Sequence, residues 1–208
     1  MRNLLLSFLI LAIACSSSGL RDTIAAAPTI SDTNKVLIVY LSRTNNTKAV
    51  AEIIHKKVGG TLVALELEKP YPGNYQETVK QVASENESGY LPPLKTKIHS
   101  IQSYDVVFIG FPTWGMQLPP PMKSFLKQYN LSGKIIAPFN TNAGYGVGSS
   151  PETVRKLCPN STVLEAFSTK GGVERDGIKF VIEGEKEKQV NDDITKWLQK
   201  INMPLLKQ

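Results

Sequence analysis

Two cysteines, two histidines and two tryptophans in 208 residues leave several classes of protein without material. Cys15 and Cys158 can close at most one disulfide, so a disulfide-stapled scaffold is excluded and stability rests on a packed core. His55 and His99 stand apart from each other and from the cysteines, with no metal-ligand spacing, and both read as surface residues. Lysine and arginine (24) outnumber aspartate and glutamate (18) for a net charge of +6. That excess is spread thinly, without basic runs interleaved with aromatics, which gives no footprint for nucleic acid but leaves room for attraction to anionic partners or head groups. No apolar run reaches the ~20 residues that span a bilayer, and no internal repeat is visible. What remains, with 41% hydrophobic and 20% charged residues, is ordinary globular material, enough for one well-buried domain.

The N-terminus has its own pattern. Arg2 precedes Leu4 to Ile13, apolar except for Ser7, and small residues follow, which is the pattern of a secretory signal peptide over residues 1–14. The junction Leu11-Ala12-Ile13-Ala14-Cys15 resembles the bacterial lipoprotein box, although Ala12 stands where that box most often has Leu. The resemblance implies acylation of Cys15 and a mature chain held on a membrane by lipid, facing the periplasm or cell exterior. An ordinary signal peptide with an incidental cysteine fits the same residues. If Cys15 carries lipid, Cys158 has no intramolecular partner. Residues 15–33, rich in Ser, Ala, Thr and Asp, read as a flexible tether, and a single domain is expected over 34–208.

The domain is organised around Lys35 to Val58. Val36 to Tyr40 is a short, largely β-branched run without charge, as expected of a strand buried on both faces of a parallel sheet. Ser42-Arg43-Thr44-Asn45-Asn46-Thr47 follows, and then Ala49, Val50, Ile53, Ile54 and Val58 recur at helical spacing. Hydroxyls and backbone N–H groups are thereby delivered to a helix N-terminus, which suits a phosphate. The same residues also suit a simple cap by Asn45 or Asn46.

Further along, strands are expected at 61–67, 106–110, 134–139 and 162–167. Helices are expected at 75–87, with Val79, Val82 and Ala83 on one face, and at 119–129, from Ser150, and at 186–201. Residues 171–184 read as irregular or a surface hairpin. Five strands alternating with helices predict a doubly wound five-stranded parallel sheet with helices on both faces, an α/β fold whose ligand sits beyond the strand C-terminal ends at the switch in strand order. Three loops meet there: 42–47, the Phe111-to-Met116 loop, and the glycine-rich Asn140-to-Gly148 loop.

These loops resemble those of the flavodoxin family. Val39 to Thr47 is similar to its FMN phosphate loop, Gly110-Phe111-Pro112-Thr113-Trp114 to its first flavin-ring loop, and Pro138 to Gly146 to its second. The resemblance covers the chain from Lys35 to about Ile201 and implies one noncovalent FMN. By position, Ser42, Arg43, Thr44, Asn45, Asn46 and Thr47 would hold the phosphate. Pro112, Thr113, Trp114, Gly115 and Met116 would flank the ring, with Trp114 stacked on it or serving as a core or interface aromatic. Asn140, Thr141, Asn142, Ala143, Gly144, Tyr145 and Gly146 would meet the other ring edge through backbone N–H groups. No side chain needs to act as a general acid or base.

Three features depart from that pattern. Flavodoxins are usually acidic, whereas this chain is basic, which bears on its redox partner. Asn45 stands where relatives often have Gly; Asn tolerates left-handed backbone geometry better than most residues, so the loop is expected to survive the change. The signal-like segment points to export, whereas most flavodoxins are cytoplasmic. The leading expectation is an electron carrier. The alternatives are an NAD(P)H-dependent FMN or quinone reductase and a non-redox binding module on a surface lipoprotein.

Overall fold

The computed structural model describes residues 30–206. The signal-like segment, Cys15 and most of the tether lie outside that range. Ile30 is buried against the sheet, and the Ser31–Asn34 turn closes behind it, so packing begins inside the segment read as tether.

The sheet is parallel, in the order β2-β1-β3-β4-β5, with strands β1 (Val36–Tyr40), β2 (Thr61–Ala64), β3 (Val106–Pro112), β4 (Ile135–Asn142) and β5 (Thr162–Val163). A short β6 (Phe167–Lys170) continues along β4 beyond β5. Helices α1 (Asn46–Val58), α2 (Tyr75–Ser88), α3 (Pro120–Gln128), α4 (Ser150–Leu157) and α5 (Gly184–Lys200) connect and close the strands.

Strand alternation divides the core. Ile38, Tyr40 and Phe108 face α1 and α5 and pack with Ile54, Ile194, Trp197 and Leu198. Leu37, Val39, Val107 and Ile109 face the other way, onto Met122 and Phe125 of α3 and Val154 of α4. Every residue of β1 is therefore buried, which is why its run is continuously apolar rather than alternating. The expected doubly wound sheet with helices on both faces is the fold observed.

Element ends differ from expectation in two places. The strand expected at 61–67 pairs only to Ala64; Leu65 still donates to Tyr40 O at 2.8 Å, and Leu67 then bridges Leu94 in the antiparallel sense. The strand expected at 162–167 is broken at 164–166. Ile136 O accepts from Leu164 N at 2.8 Å, so the even-numbered residues of β4 face this edge, and Pro138 there has no N–H to continue the ladder.

Candidate functional site

Beyond the C-terminal ends of β1, β3 and β4, at the point where strand order reverses, lies a cavity of about 480 Å³. A volume of that size is within the range of small-molecule sites.

One end is the 42–47 loop. Asn45 adopts φ 65° and ψ −6° at the N-cap of α1 and makes no side-chain cap bond, so the loop turns on left-handed backbone rather than on a carboxamide cap. Ser42 Oγ accepts from Lys48 N at 3.2 Å, folding the loop over its own helix. The backbone N–H groups from Arg43 to Thr47 have no acceptor among the described residues. They form the positive end of α1, a ready-made anion cradle. Thr44 and Thr47 line the cavity, and Thr47 Oγ1 lies 2.8 Å from Thr141 Oγ1, which fixes the loop to β4.

Two side chains of this loop are engaged elsewhere. Arg43 Nε reaches both oxygens of Glu174 at 2.9 Å, while Nη1 and Nη2 donate to Pro72 O and Gly73 O, each at 3.0 Å. Asn46, buried, donates to Lys179 O at 2.6 Å and Thr44 Oγ1 at 3.0 Å and accepts from Val181 N at 3.1 Å. Together they hold residues 171–182 as a strap beside the cavity. That segment carries a single 3₁₀ turn, Glu174–Asp176, where a hairpin was one expectation.

The second wall is the loop after β3. Trp114 and Gln117 pair across a two-residue turn, with φ 56° at Gly115 and 58° at Met116. Positive φ at both central residues is the tight hairpin geometry that favours Gly, so Met116 sits there under strain. Trp114, half-buried on the cavity, meets the Tyr71 ring edge-on at 5.3 Å. Tyr71 in turn donates to the buried carboxylate of Glu85, which also accepts from Gln81 at 2.8 Å. Burial, then this hydrogen bond, pushes the Tyr71 hydroxyl well above the usual tyrosine range, so it remains a donor.

The third wall is the end of β4 and the turn after it. Asn140, fully buried, donates to Phe111 O and Thr113 Oγ1, both at 3.0 Å, tying this loop to the previous one. Asn142 Oδ1 accepts from Gly144 N at 2.8 Å and Gly146 N at 3.2 Å, which coils the glycine-rich turn on itself. Thr141, Asn142 and Ala143 line the large cavity beside Pro112, Thr113 and Gly115. Met116, Tyr145 and Gly146 border an adjoining space of about 240 Å³, while Gly144 borders neither. Tyr145 is 65% exposed, its hydroxyl 3.4 Å from an Arg175 nitrogen.

The fourth wall was not expected as part of the site. Helix α2 lines the cavity with Tyr75, Thr78, Val79, Val82, Ala83, Asn86 and Glu87, joined by Gln117 and by Gly171, Gly172 and Glu174 of the strap. The signal was the apolar face Val79-Val82-Ala83, which reads as a core face. Only Val82 is buried; Val79 is 43% exposed and looks onto the cavity. Among the described residues no cluster of His, Cys, Asp or Glu could hold a metal ion.

Comparison with curated proteins returned no match. Among solved structures, a candidate flavoprotein of Bacteroides eggerthii DSM 20697 is 28% identical, with a TM-score of 0.65, covering 81% of this chain and 98% of its own. Another, from Bacteroides uniformis ATCC 8492, is 22% identical at a TM-score of 0.64, covering 78% and 98%, and shares the fold. A flavoprotein of Lactobacillus acidophilus NCFM, solved in complex with FMN, shares the fold at 21% identity and a TM-score of 0.59, covering 65% and 93%. The family model for flavodoxin matches residues 35–184, which takes in β1 through β6 and all the loops of the site. The chain belongs to the flavodoxin family.

Proposed function

We propose that this protein binds one FMN in the large cavity and carries electrons through it. The observation that carries the reading is the run of unpartnered backbone N–H groups from Arg43 to Thr47 at the α1 N-terminus, opening into the cavity walled by Trp114, Gly115 and Ala143. A phosphate monoester needs those donors, and a planar ring needs the apolar walls beyond them. In this assignment the phosphate is held by N–H groups with Thr44 and Thr47 hydroxyls. Arg43 contributes position rather than free charge, because Glu174 already neutralises it. Trp114 would flank the ring, and backbone groups of Gly115 and Ala143 would meet its edges, the Gly144 and Gly146 N–H groups being taken by Asn142 Oδ1. Bound FMN supplies the redox chemistry; the protein supplies placement and electrostatics.

We further infer that the carrier is exported and lipid-anchored through Cys15, with its partner outside the cytoplasm. The support is the leader-like sequence of residues 1–14 and the position of Cys15. Two measurements test the assignment. The purified protein, incubated with FMN and desalted, should retain the flavin's visible spectrum and take up electrons in resolvable steps on reductive titration; loss of all flavin on desalting refutes it. Metabolic labelling with palmitate in a bacterial host should mark the protein, and Cys15→Ala should abolish the label.

A further inference from the structure

Lys123 on α3 is half-buried, and its ammonium meets no carboxylate among the described residues. Instead Nζ donates to Asn86 Oδ1 at 2.8 Å and to Gln117 Oε1 at 3.3 Å. An ammonium has donors and no acceptor, so it dictates the orientation of both carboxamides: their oxygens turn toward Lys123 and their NH2 groups turn away. Neither NH2 group has an acceptor among the described residues, and both residues line the large cavity. Burial also lowers the Lys123 pKa from its ordinary value.

The ground around this pair is apolar. Val79, Val82 and Ala83 form the adjacent face of α2, and Gln117 is bridged across its turn to Trp114. Two fixed N–H donors, polarised by the ammonium behind them, thus stand on a wall otherwise suited to a flat apolar molecule. Glu87 lines the same cavity and disfavours an anionic ligand there. A neutral acceptor is left; a ring nitrogen offers one lone pair, whereas a carbonyl oxygen offers two and so matches the two donors.

We propose that Asn86 and Gln117, oriented by Lys123, form a subsite for a carbonyl oxygen on a planar, uncharged ring. The inference rests on the cavity being the cofactor site proposed above. The carbonyl has two possible sources: the flavin ring itself, or a free quinone-type compound bound beside it. Lys123 is a positioning residue, acting through the two carboxamides.

The test titrates the purified protein with FMN, with riboflavin and, in flavin-free and FMN-loaded forms, with 1,4-naphthoquinone. Affinity is read by calorimetry, and the Asn86 and Gln117 side-chain NH2 resonances are followed by NMR. Lys123→Met removes the ammonium. Asn86→Asp replaces the donor with a carboxylate that pairs with Lys123, so the fold keeps its contact while the subsite loses an N–H. The side-chain resonances should shift with at least one ligand, and both variants should weaken that ligand by about tenfold, the scale of one lost hydrogen bond. If the flavin is the source, FMN and riboflavin weaken alike, because the subsite meets the ring and not the phosphate. If a free compound is the source, naphthoquinone weakens while FMN stays within about twofold of wild type. Resonances that move with none of the three ligands, or variants that bind all of them as wild type does, overturn the subsite. Wild-type protein that fails to bind FMN refutes the cofactor assignment instead, and the naphthoquinone titration of the flavin-free form still decides the subsite.

Discussion

Substituting Glu174 with glutamine tests whether the strap is clamped by charge. Arg43 Nε contacts both Glu174 oxygens at 2.9 Å, and the side chains are only 17% and 16% exposed. Exposed pairs contribute ~0.2–1 kcal/mol, whereas breaking a buried pair costs ~3–5 kcal/mol because a desolvated charge is left behind. With about five-sixths of each side chain covered and the remaining Arg43 donors on Pro72 O and Gly73 O, the loss from Glu174→Gln should be about 2 kcal/mol. At roughly 2–4 °C per kcal/mol for a domain of this size, the flavin-free protein should melt about 4–8 °C lower. The control is Glu52→Gln. Its partner Lys48 is 3.8 Å away, one helical turn apart, and both are nearly half exposed; such a pair contributes ~0.3–0.5 kcal/mol, so the shift should stay under about 2 °C. Adding Arg43→Gln to Glu174→Gln should cost little more than either alone, since the two charges then vanish together. Raising the salt should leave most of the Glu174 effect in place, because covered pairs are weakly screened. A Glu174→Gln shift no larger than the control, or one erased by salt, refutes a clamp made of charge. The strap would then be held by Asn46, by the Gly171 N–H on Asn142 O and by the buried Ile182.

Other consequences follow from single residues. A Cβ on Gly110 in β3 would overlap the Phe139 ring of β4, so Gly110→Ala should destabilise by ~2–3 kcal/mol in urea titration. Met116 holds φ 58° at the second central position of its turn, so Met116→Gly should relieve the left-handed penalty and raise stability by up to ~1 kcal/mol, read as a higher melting temperature. Burial raises the Cys158 thiol from 9.0 to about 11. The fold therefore favours the protonated form: its contribution is fully present below pH 9 and declines as pH rises toward about 11. Over that window wild type should lose more stability than Cys158→Ala, measured by urea unfolding at each pH, and the native thiol should resist alkylation at pH 8.

The strands were legible because two-sided burial writes itself as an uninterrupted apolar run: Val36 to Tyr40 and Val106 to Ile109 are buried throughout. Edge elements were less so. The break after β5 depends on Pro138 in the neighbouring strand facing that edge, and which way an imino nitrogen faces is a property of register, not of the run containing it. Helix periodicity likewise reported that α2 has an apolar face but not what the face meets. Val79 and Ala83 follow the same spacing as the buried positions of α1, yet they look onto open space.

Arg43 shows the same boundary within the site. A cation in an anion-binding loop reads as a ligand for the anion, and nothing local argues otherwise. Its partner Glu174 is 131 residues downstream, in a segment without regular periodicity, and only the folded chain shows that the guanidinium is already neutralised. The consequence reaches the chemistry. With Arg43 committed to Glu174, positive potential at the cradle comes from the α1 N-terminus and its free N–H groups, which recognise geometry as much as charge. A site built in that way should discriminate FMN from riboflavin chiefly through hydrogen bonds, so the ratio of their affinities should change little between low and moderate salt. A ratio that collapses with salt would mean that Arg43 leaves Glu174 for the phosphate when the nucleotide binds.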